Sequence, residues 1–487
     1  MKIIIKYLAL LISISLYNYI FITKIKDTRL HRDPGKAKYI FIAFIYIQCM
    51  LGILWTCNNF DYITQFGDTG AYVYQSNPLR KTSIRTVLYP LLIRISMEIE
   101  KLTNISYCAV IYTIQSLCSI LCIYYFLNVL KENLNDRWNK NDVIIYTLFL
   151  HFIPQINEFN LSVLSDSLAY SMLLLVVANG IKWVCEGNLN KKDLVILILA
   201  IFLGNMLRYE RKILHIVFLI VIFIILSKYK EISKKNVFIL ACLLVIPLMF
   251  VKVTDICSKS VENDNRHEQT ATMVVLPKVA RGYMEECYEY LSDDAKCVVS
   301  LELAGAYDRG EISTSDFIIY IEQSVGQDTA NKMIYSISWE VFKNTYRKQT
   351  ANVLKDCFLY ANPLMFGVLE LNLVHVGGLD WNYSRFIMNT PTLSKLYYNF
   401  TLYFGLMLLI VVIAYLIWKE KNILKDKIRV VIAPFVMAFL LTGLWGVVNN
   451  SKPNDRYVLY IYFVWFVILI VGFEESLSIK KQKVLID

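Results

Sequence analysis

Metal-binding and nucleotide-binding patterns are missing from this chain. Its 487 residues hold five histidines and eleven cysteines, with no Cys-x-x-Cys pair and no His-rich spacing. That excludes the usual zinc-site patterns. No P-loop and no Gly-x-Gly-x-x-Gly turn opens a helix, so phosphate cradles of the nucleotide-binding kind are absent. There is no internal repeat and no low-complexity run. A transporter built from inverted repeats around a midplane site would leave such a signature.

Apolar sequence, in contrast, is plentiful. Hydrophobic residues make up 56% of the chain and the mean hydropathy is +0.46. The excess is arranged in blocks of roughly 17–25 residues, the length that crosses a bilayer as a helix. The blocks fall near 3–22, 39–56, 105–130, 143–155, 164–184, 193–207, 212–227, 236–252, 399–418, 430–448 and 458–473. The expectation is an all-α, polytopic membrane protein with about 10–12 transmembrane helices. The first block runs into Lys24, Lys26 and Arg29 without a small-residue cleavage site, so it is read as a membrane helix rather than a signal peptide.

The net charge is +10, but its distribution argues against a nucleic-acid partner. Lys and Arg gather in alternate short loops: Lys24 to Lys38, Lys131 to Lys140, Lys191–Lys192, Lys228 to Lys235, Lys419 to Arg429, and Lys480 to Lys483. This positive-inside pattern places those loops in the cytoplasm. The tail then lies inside and the N-terminus outside; if the first block does not cross, only the N-terminus changes side. None of the cytoplasmic loops is long enough for a nucleotide-binding domain. Any chemistry belongs at the extracytoplasmic face or within the cytoplasmic membrane.

Three regions follow. Residues 1–252 form an N-terminal membrane domain with a first outer loop at 57–104. Residues 253–398 form an extracytoplasmic insertion whose apolar residues recur at helical spacing, as expected of amphipathic helices lying against the membrane or against each other. Residues 399–487 supply the last membrane helices and a cytoplasmic tail. Cys108, Cys118, Cys122 and Cys242 read as small apolar fillers in spans. Cys257, Cys287, Cys297 and Cys357 lie in the insertion, where a disulfide is an option.

Positive charge should avoid outer loops, yet three clusters remain there. They are Arg80, Lys81 and Arg85; then Arg208, Arg211 and Lys212 in "LRYERK"; then Lys452 and Arg456 in "SKPNDRY". Arginine forks make charge-assisted, often bidentate bonds to phosphate oxygens. The competing role is snorkelling to lipid headgroups. Carboxylates share the same places: Asp61, Asp68, Asp166, Glu210 and Asp455. Asp68 lies between Gly67 and Gly70, which permit close approach of a ligand to the backbone. An ionised carboxylate beside an arginine is a candidate general base, or a partner for Arg85. Asp166, in "LSDSLAYSMLLL", is also placed to cap a helix. His151 beside Pro154 reads as a hydrogen-bonded structural residue, and His215 as a neighbour of the Arg208 cluster. "SDDAK" at Asp293–Asp294 reads as a solvated helix start. Sequons at Asn104, Asn160, Asn382, Asn399 and Asn449 all fall on the outer side.

These stretches, in order, resemble the GT-C superfamily of integral membrane glycosyltransferases. The similarity is to its bacterial family-39-like and aminoarabinose-transferase-like members. Asp68 with Tyr72, followed by "RTVLYPLL" from Arg85, looks like the family's first outer loop, with Val87 where proline is usual. "LGNMLRYERKILHIVFLI" is similar to its Leu-x-Arg-Pro-Glu hairpin, with Tyr209 in the proline's place. "LSDSLAYSMLLL" resembles a later acidic helix mouth, and "DRYVLYIYF" the Arg-Tyr before a late helix. Gly67 and Thr69 stand beside Asp68 where the family often carries a second acid. The insertion has no counterpart.

The resemblance implies a polyprenyl-phosphate-linked sugar as donor and a glycan, lipid or protein as acceptor. It implies Asp68 as the catalytic base and Arg208, Arg211, Lys212 and Arg456 as ligands of the donor phosphate. Tyr72, Arg85, Tyr89, Asp166, Glu210 and Tyr457 would contact substrate. No resident cofactor or metal site is assigned; a divalent cation is the one candidate. The alternatives are an O-antigen-type oligosaccharide polymerase and a lipid or solute transporter or flippase. The transferase reading requires Asp68, Arg208 and Arg456 to share one cleft.

Overall fold

The computed structural model describes residues 2–32, 37–59, 67–81, 86–133, 138–208, parts of 215–245, 262–263, 276 and 279–361, 391–419 and 463–474. The described residues are nearly all helical. The one extended pairing among them is a two-residue parallel ladder between β1 (Arg80–Lys81) and β2 (Glu262–Asn263).

The N-terminal region consists of α1 (Lys2–Ile25), α2 (Arg29–Arg32), α3 (Ala37–Asn59), α4 (Gly67–Ser76), α5 (Leu88–Thr103), α6 (Tyr107–Asn133), α7 (Lys140–His151), α8 (Pro154–Asn160), α9 (Asp166–Glu186) and α10 (Lys191–Leu207). Among the described residues, five helices are long and apolar enough to cross a membrane: Tyr7–Ile25, Ala37–Asn59, Tyr107–Asn133, Asp166–Glu186 and Thr392–Tyr415. Their outer faces stay apolar. Leu8, Leu11, Ile12 and Leu16 on α1, Ile40 and Ile47 on α3, and Leu117 and Leu121 on α6 are all exposed. Soluble proteins rarely display such extended apolar surface.

Local chemistry sets the helix ends. Asn139 begins α7 with a reciprocal capping box: its side chain accepts from Asp142 N, and the Asp142 carboxylate accepts from Asn139 N. This satisfies two donors the helix leaves open. Asn190 starts α10 by accepting from Asp193 N at 2.9 Å. Gly187 ends α9 at φ +79, a left-handed position that glycine adopts without strain.

The block at 143–155 is not one helix. Helix α7 stops at His151 and α8 starts at Pro154. Proline has no N–H and clashes with the preceding turn, so carbonyls before it lose helical partners. Gln48 on α3 supplies a donor, its Nε2 lying 3.0 Å from Phe149 O and 3.2 Å from Phe152 O. Tyr397 Oη also donates to Phe152 O. Broken helix at membrane depth persists only where protein groups satisfy the backbone in this way. Gly52 makes the close approach possible: a Cβ there would sit 2.8 Å from the Phe152 ring.

The described residues of 57–104, read above as the first outer loop, are substantially helical. Its α5 buries Tyr89, Pro90, Ile93 and Ser96 along one face and packs on α6 and α10, while α4 packs on α5.

Within 253–398 lie α11 (Asp293–Val298), α12 (Leu301–Arg309), α13 (Thr314–Val325) and α14 (Gln327–Ala361). They lie against each other around their own apolar core, which includes Met284, Tyr307, Phe317, Ile321, Ile334 and Val341. Ser292, Ser300 and Ser313 cap the first three, each accepting from the N–H three residues on. Asp293–Asp294 is thus the start of a capped helix, as its sequence suggests. Cys287 and Cys297 are free thiols; the sulfurs of Cys257 and Cys357 lie outside the described residues.

The chain returns through α15 (Pro391–Asn399), a π-turn at Phe400–Phe404 and α16 (Gly405–Lys419). Last comes α17 (Phe463–Glu474). Its Glu474 is fully buried, accepting from Tyr146 Oη and approaching Arg29 Nη1 at 3.6 Å. The Arg29 N–H donates to Asp142 Oδ1 at 2.9 Å. The end of the last described helix is thereby tied to the starts of α2 and α7.

Candidate functional site

The site forms where α4 and α5 lie across the first turn of α9 and the last turn of α10. Thr69, next to Asp68 on α4, donates its hydroxyl to Val163 O at 3.2 Å. One turn on, Tyr72 Oη is 2.8 Å from Ser165 Oγ. Thr86 Oγ1 donates to Met206 O, two residues before Arg208. The Tyr72 ring meets the Tyr89 ring edge-on, centroids 5.0 Å apart. Such an aromatic pair adds about 0.5–1.5 kcal/mol beyond area burial.

The centre is an ion pair. Arg208 caps the C-terminus of α10 in an extended conformation, and its Nη1 donates to Asp166 Oδ1. The Asp166 side chain is 1% exposed and that of Arg208 10%. Asp166 sits in the first turn of α9, where the helix dipole also favours a negative charge. Its carboxylate serves the arginine, and the cap residue Ser165 makes no side-chain capping bond. The helix-cap role open to Asp166 from sequence is therefore replaced by the ion pair. Arg208 brings a charge already matched by its partner; a guanidinium has five N–H donors, so the pair holds the fork without using all of it.

Tyr89 is fully buried and donates to Gln115 Oε1 at 2.9 Å. Burial pushes its phenol well above the ordinary range, and Tyr72, Tyr112 and the Asp166 carboxylate act in the same direction. Tyr89 therefore stays protonated and props Tyr72 from below. Gln115 Nε2 in turn donates to Asn160 O at 3.0 Å and Ser162 O at 2.8 Å, holding the irregular turn that delivers Asp166.

A polar layer continues beneath. Asn157 Nδ2 donates to Thr56 Oγ1 at 2.9 Å, Tyr398 Oη donates to Glu158 Oε2, and Ser167 Oγ donates to Asn160 Oδ1 at 2.5 Å. Asn160 is buried and engaged, so this sequon is no exposed glycan acceptor. Gln155 differs from its neighbours: it is 2% exposed and neither amide atom has a hydrogen-bond partner among the described residues. A buried group of this kind calls for water, an ion or a ligand.

The sequence-predicted residues divide as follows. Tyr72, Tyr89, Asp166 and Arg208 come together. Asp68 lies on α4 beside Thr69, with its side chain outside the described residues. Arg85, Glu210, Arg211, Lys212, Arg456 and Tyr457 also lie outside them. Of the first cation cluster, Arg80 stacks on the Tyr74 ring at 4.3 Å. His215 is buried against α10, with Nδ1 3.2 Å from Asn205 Oδ1. His151 is buried between Ser119 and Asn160 at 3.4 and 3.5 Å, in keeping with a structural role. Among the described residues no cluster of three His, Cys, Asp or Glu side chains is placed to hold a metal ion.

Sequence reasoning passed over Gln48, Gln115, Gln155 and Glu158. Their signal was the polar residues set in apolar blocks, above all the amide-rich "PQINEFNLS". No protein-family model, curated protein or solved structure matches the chain.

Proposed function

We propose that the protein is a multi-pass enzyme of the cytoplasmic membrane that transfers a sugar from a polyprenyl-phosphate donor to an acceptor at the outer face. One observation carries this reading. Three stretches remote in sequence, each of which resembles a GT-C motif, meet at the Asp166–Arg208 pair: the loop with Asp68 and Tyr72, the mouth of α9, and the end of α10.

The reaction is a single displacement. The acceptor hydroxyl oxygen forms a bond to the anomeric carbon. The bond from that carbon to the phosphate oxygen breaks, and the lipid phosphate leaves with the electron pair. Asp68 takes the acceptor proton. Arg208, held by Asp166, acts with Arg211, Lys212 and Arg456 on the charge that grows on the phosphate. Loss of one such donor costs about 3 kcal/mol of transition-state stabilisation. Tyr72, backed by Tyr89, gives the sugar a wall. The 253–398 insertion would meet the glycan, lipid or protein acceptor.

The deciding experiment incubates purified protein with a panel of polyprenyl-phosphate sugars and measures release of the bare lipid phosphate. Release with one sugar, and none from the matching polyprenyl pyrophosphate, is the expected result. Turnover of the pyrophosphate alone would move the protein to the oligosaccharide polymerases, and no turnover by folded protein would remove the enzyme reading. Replacing Arg208 or Arg456 by Gln should raise KM for the donor more than for the acceptor.

A further inference from the structure

Helix α14 carries apolar side chains on two opposite faces. Ala330, Ile334, Ile337 and Val341 are buried in the core of the insertion. On the other side, Tyr335, Trp339, Phe342 and Tyr346 are 44%, 61%, 39% and 46% exposed. Their spacing of four, three and four residues aligns them along one stripe, about 16 Å long at 1.5 Å per residue. The Trp339 and Phe342 rings lie 6.1 Å apart. Lys332 and Lys343, exposed, fall on the same side, and Arg347 lies over the Tyr346 ring at 5.7 Å. Lys343 has only a 3.8 Å approach to Glu340 at the edge of the stripe. Among residues 335–346 no acid falls on the stripe; the exposed Asp328 lies one turn before Lys332 on the same side.

We propose that this face of α14 lies in the lipid headgroup layer of the bilayer surface from which the flanking spans emerge, with anionic lipid as its occupant. Tyr and Trp concentrate at that layer because each has an apolar body and a polar edge. A helix lying in the plane of the interface presents aromatics to the acyl boundary and Lys or Arg to the headgroups. The stripe has this composition, with aromatic rings along it and Lys and Arg beside them. Chain continuity brings the bilayer within reach. Beyond α14 the chain enters α15, which docks on α3 through the Trp55 Nε1 bond to Ser394 Oγ, 3.1 Å, and then the candidate span Thr392–Tyr415. The proposal needs the membrane placement only and is independent of the transfer chemistry.

Tryptophan quenching tests it on the full-length protein reconstituted in vesicles of brominated phosphatidylglycerol. Trp339→Phe, at an exposed position, leaves the fold intact and isolates the Trp339 signal by difference. The expected result is a bromolipid-quenched component that is lost in Trp339→Phe, resists aqueous iodide, and weakens when phosphatidylcholine replaces the anionic lipid. Quenching of that component by iodide and not by bromolipid would place the face in water and overturn the proposal. Iodide quenching relieved by a soluble oligosaccharide would assign it to a glycan instead. A component quenched by neither agent would mean that protein covers the face, and would equally overturn it.

Discussion

Asp166 and Arg208 are 42 residues apart in sequence and joined by an ion pair at the adjoining ends of α9 and α10. The pair is almost wholly buried, and it ties the C-terminal end of α10 to the first turn of α9. Removing one member leaves the other charge buried alone, which costs about 3–5 kcal/mol. Asp166→Ala and Arg208→Ala should each lower thermal stability by that amount, and the double variant by less than either, because it leaves no unpaired charge. Unfolding in detergent measures this double-mutant cycle; additive losses would show that the two side chains act separately.

Asp68→Asn removes the proposed base and keeps the size. Sugar transfer should fall by about 10²–10⁴-fold, while insertion and the melting transition stay unchanged. Product release from the lipid-linked donor is the readout, and a fully active Asp68→Asn enzyme would take Asp68 out of the mechanism.

Gln48→Leu strips the donor from Phe149 O and Phe152 O at the Pro154 break. Leaving a buried carbonyl unsatisfied costs about 1–3 kcal/mol. A lowered melting temperature with α3 still inserted is the expected outcome, and a more conservative Gln48→Asn should recover little because its side chain is one methylene shorter.

Asp308 ties the insertion together by accepting from Gly282 N at 2.7 Å and Glu285 N at 2.8 Å. Burial raises its carboxyl above the ordinary range, and the backbone N–H groups of Glu285, Gly282 and Met284 offset part of that rise. A carboxyl raised in the folded state contributes its stability below its unfolded pKa, and that contribution fades as pH climbs through the folded value. Unfolding of the insertion, followed through Trp339 emission, should therefore show a loss of stability over mildly acidic pH. The loss should be absent in Asp308→Asn.

Sidedness is open to labelling. A membrane-impermeant maleimide should reach Asp68→Cys from outside intact cells and fail to reach Asp426→Cys, each compared with the native-cysteine background. The opposite pattern would invert the topology and move the proposed site to the cytoplasm.

The broad architecture was legible because it is written in long-range hydropathy. Blocks at 39–56, 105–130, 164–184 and 193–207 became α3, α6, α9 and α10 within a few residues. The helix start at Asp293–Asp294 was readable as local chemistry; the Ser300 and Ser313 caps were not singled out. The break at Pro154 was visible as a residue, but its tolerance depends on Gln48, about a hundred positions away. No local pattern carries that information. The pairing of Asp166 with Arg208 was hidden for the same reason: both were singled out as charges, yet which charge meets which depends on how α9 and α10 pack. Tyr89 was chosen for its ring, and only the packing of α5 on α6 turns it into a prop.

The two tyrosines of α15 have a consequence for how the protein is made. Tyr397 and Tyr398 reach Phe152 and Glu158 across 245 and 240 positions. At ~5–20 residues per second, the ribosome needs roughly 10–50 s to span that gap. During that interval the amide-rich turn after α7 has entered the translocon without its final donors. It must wait, shielded from lipid, for a helix made some 240 residues later. Packing of this turn is thus completed only once α15 has emerged.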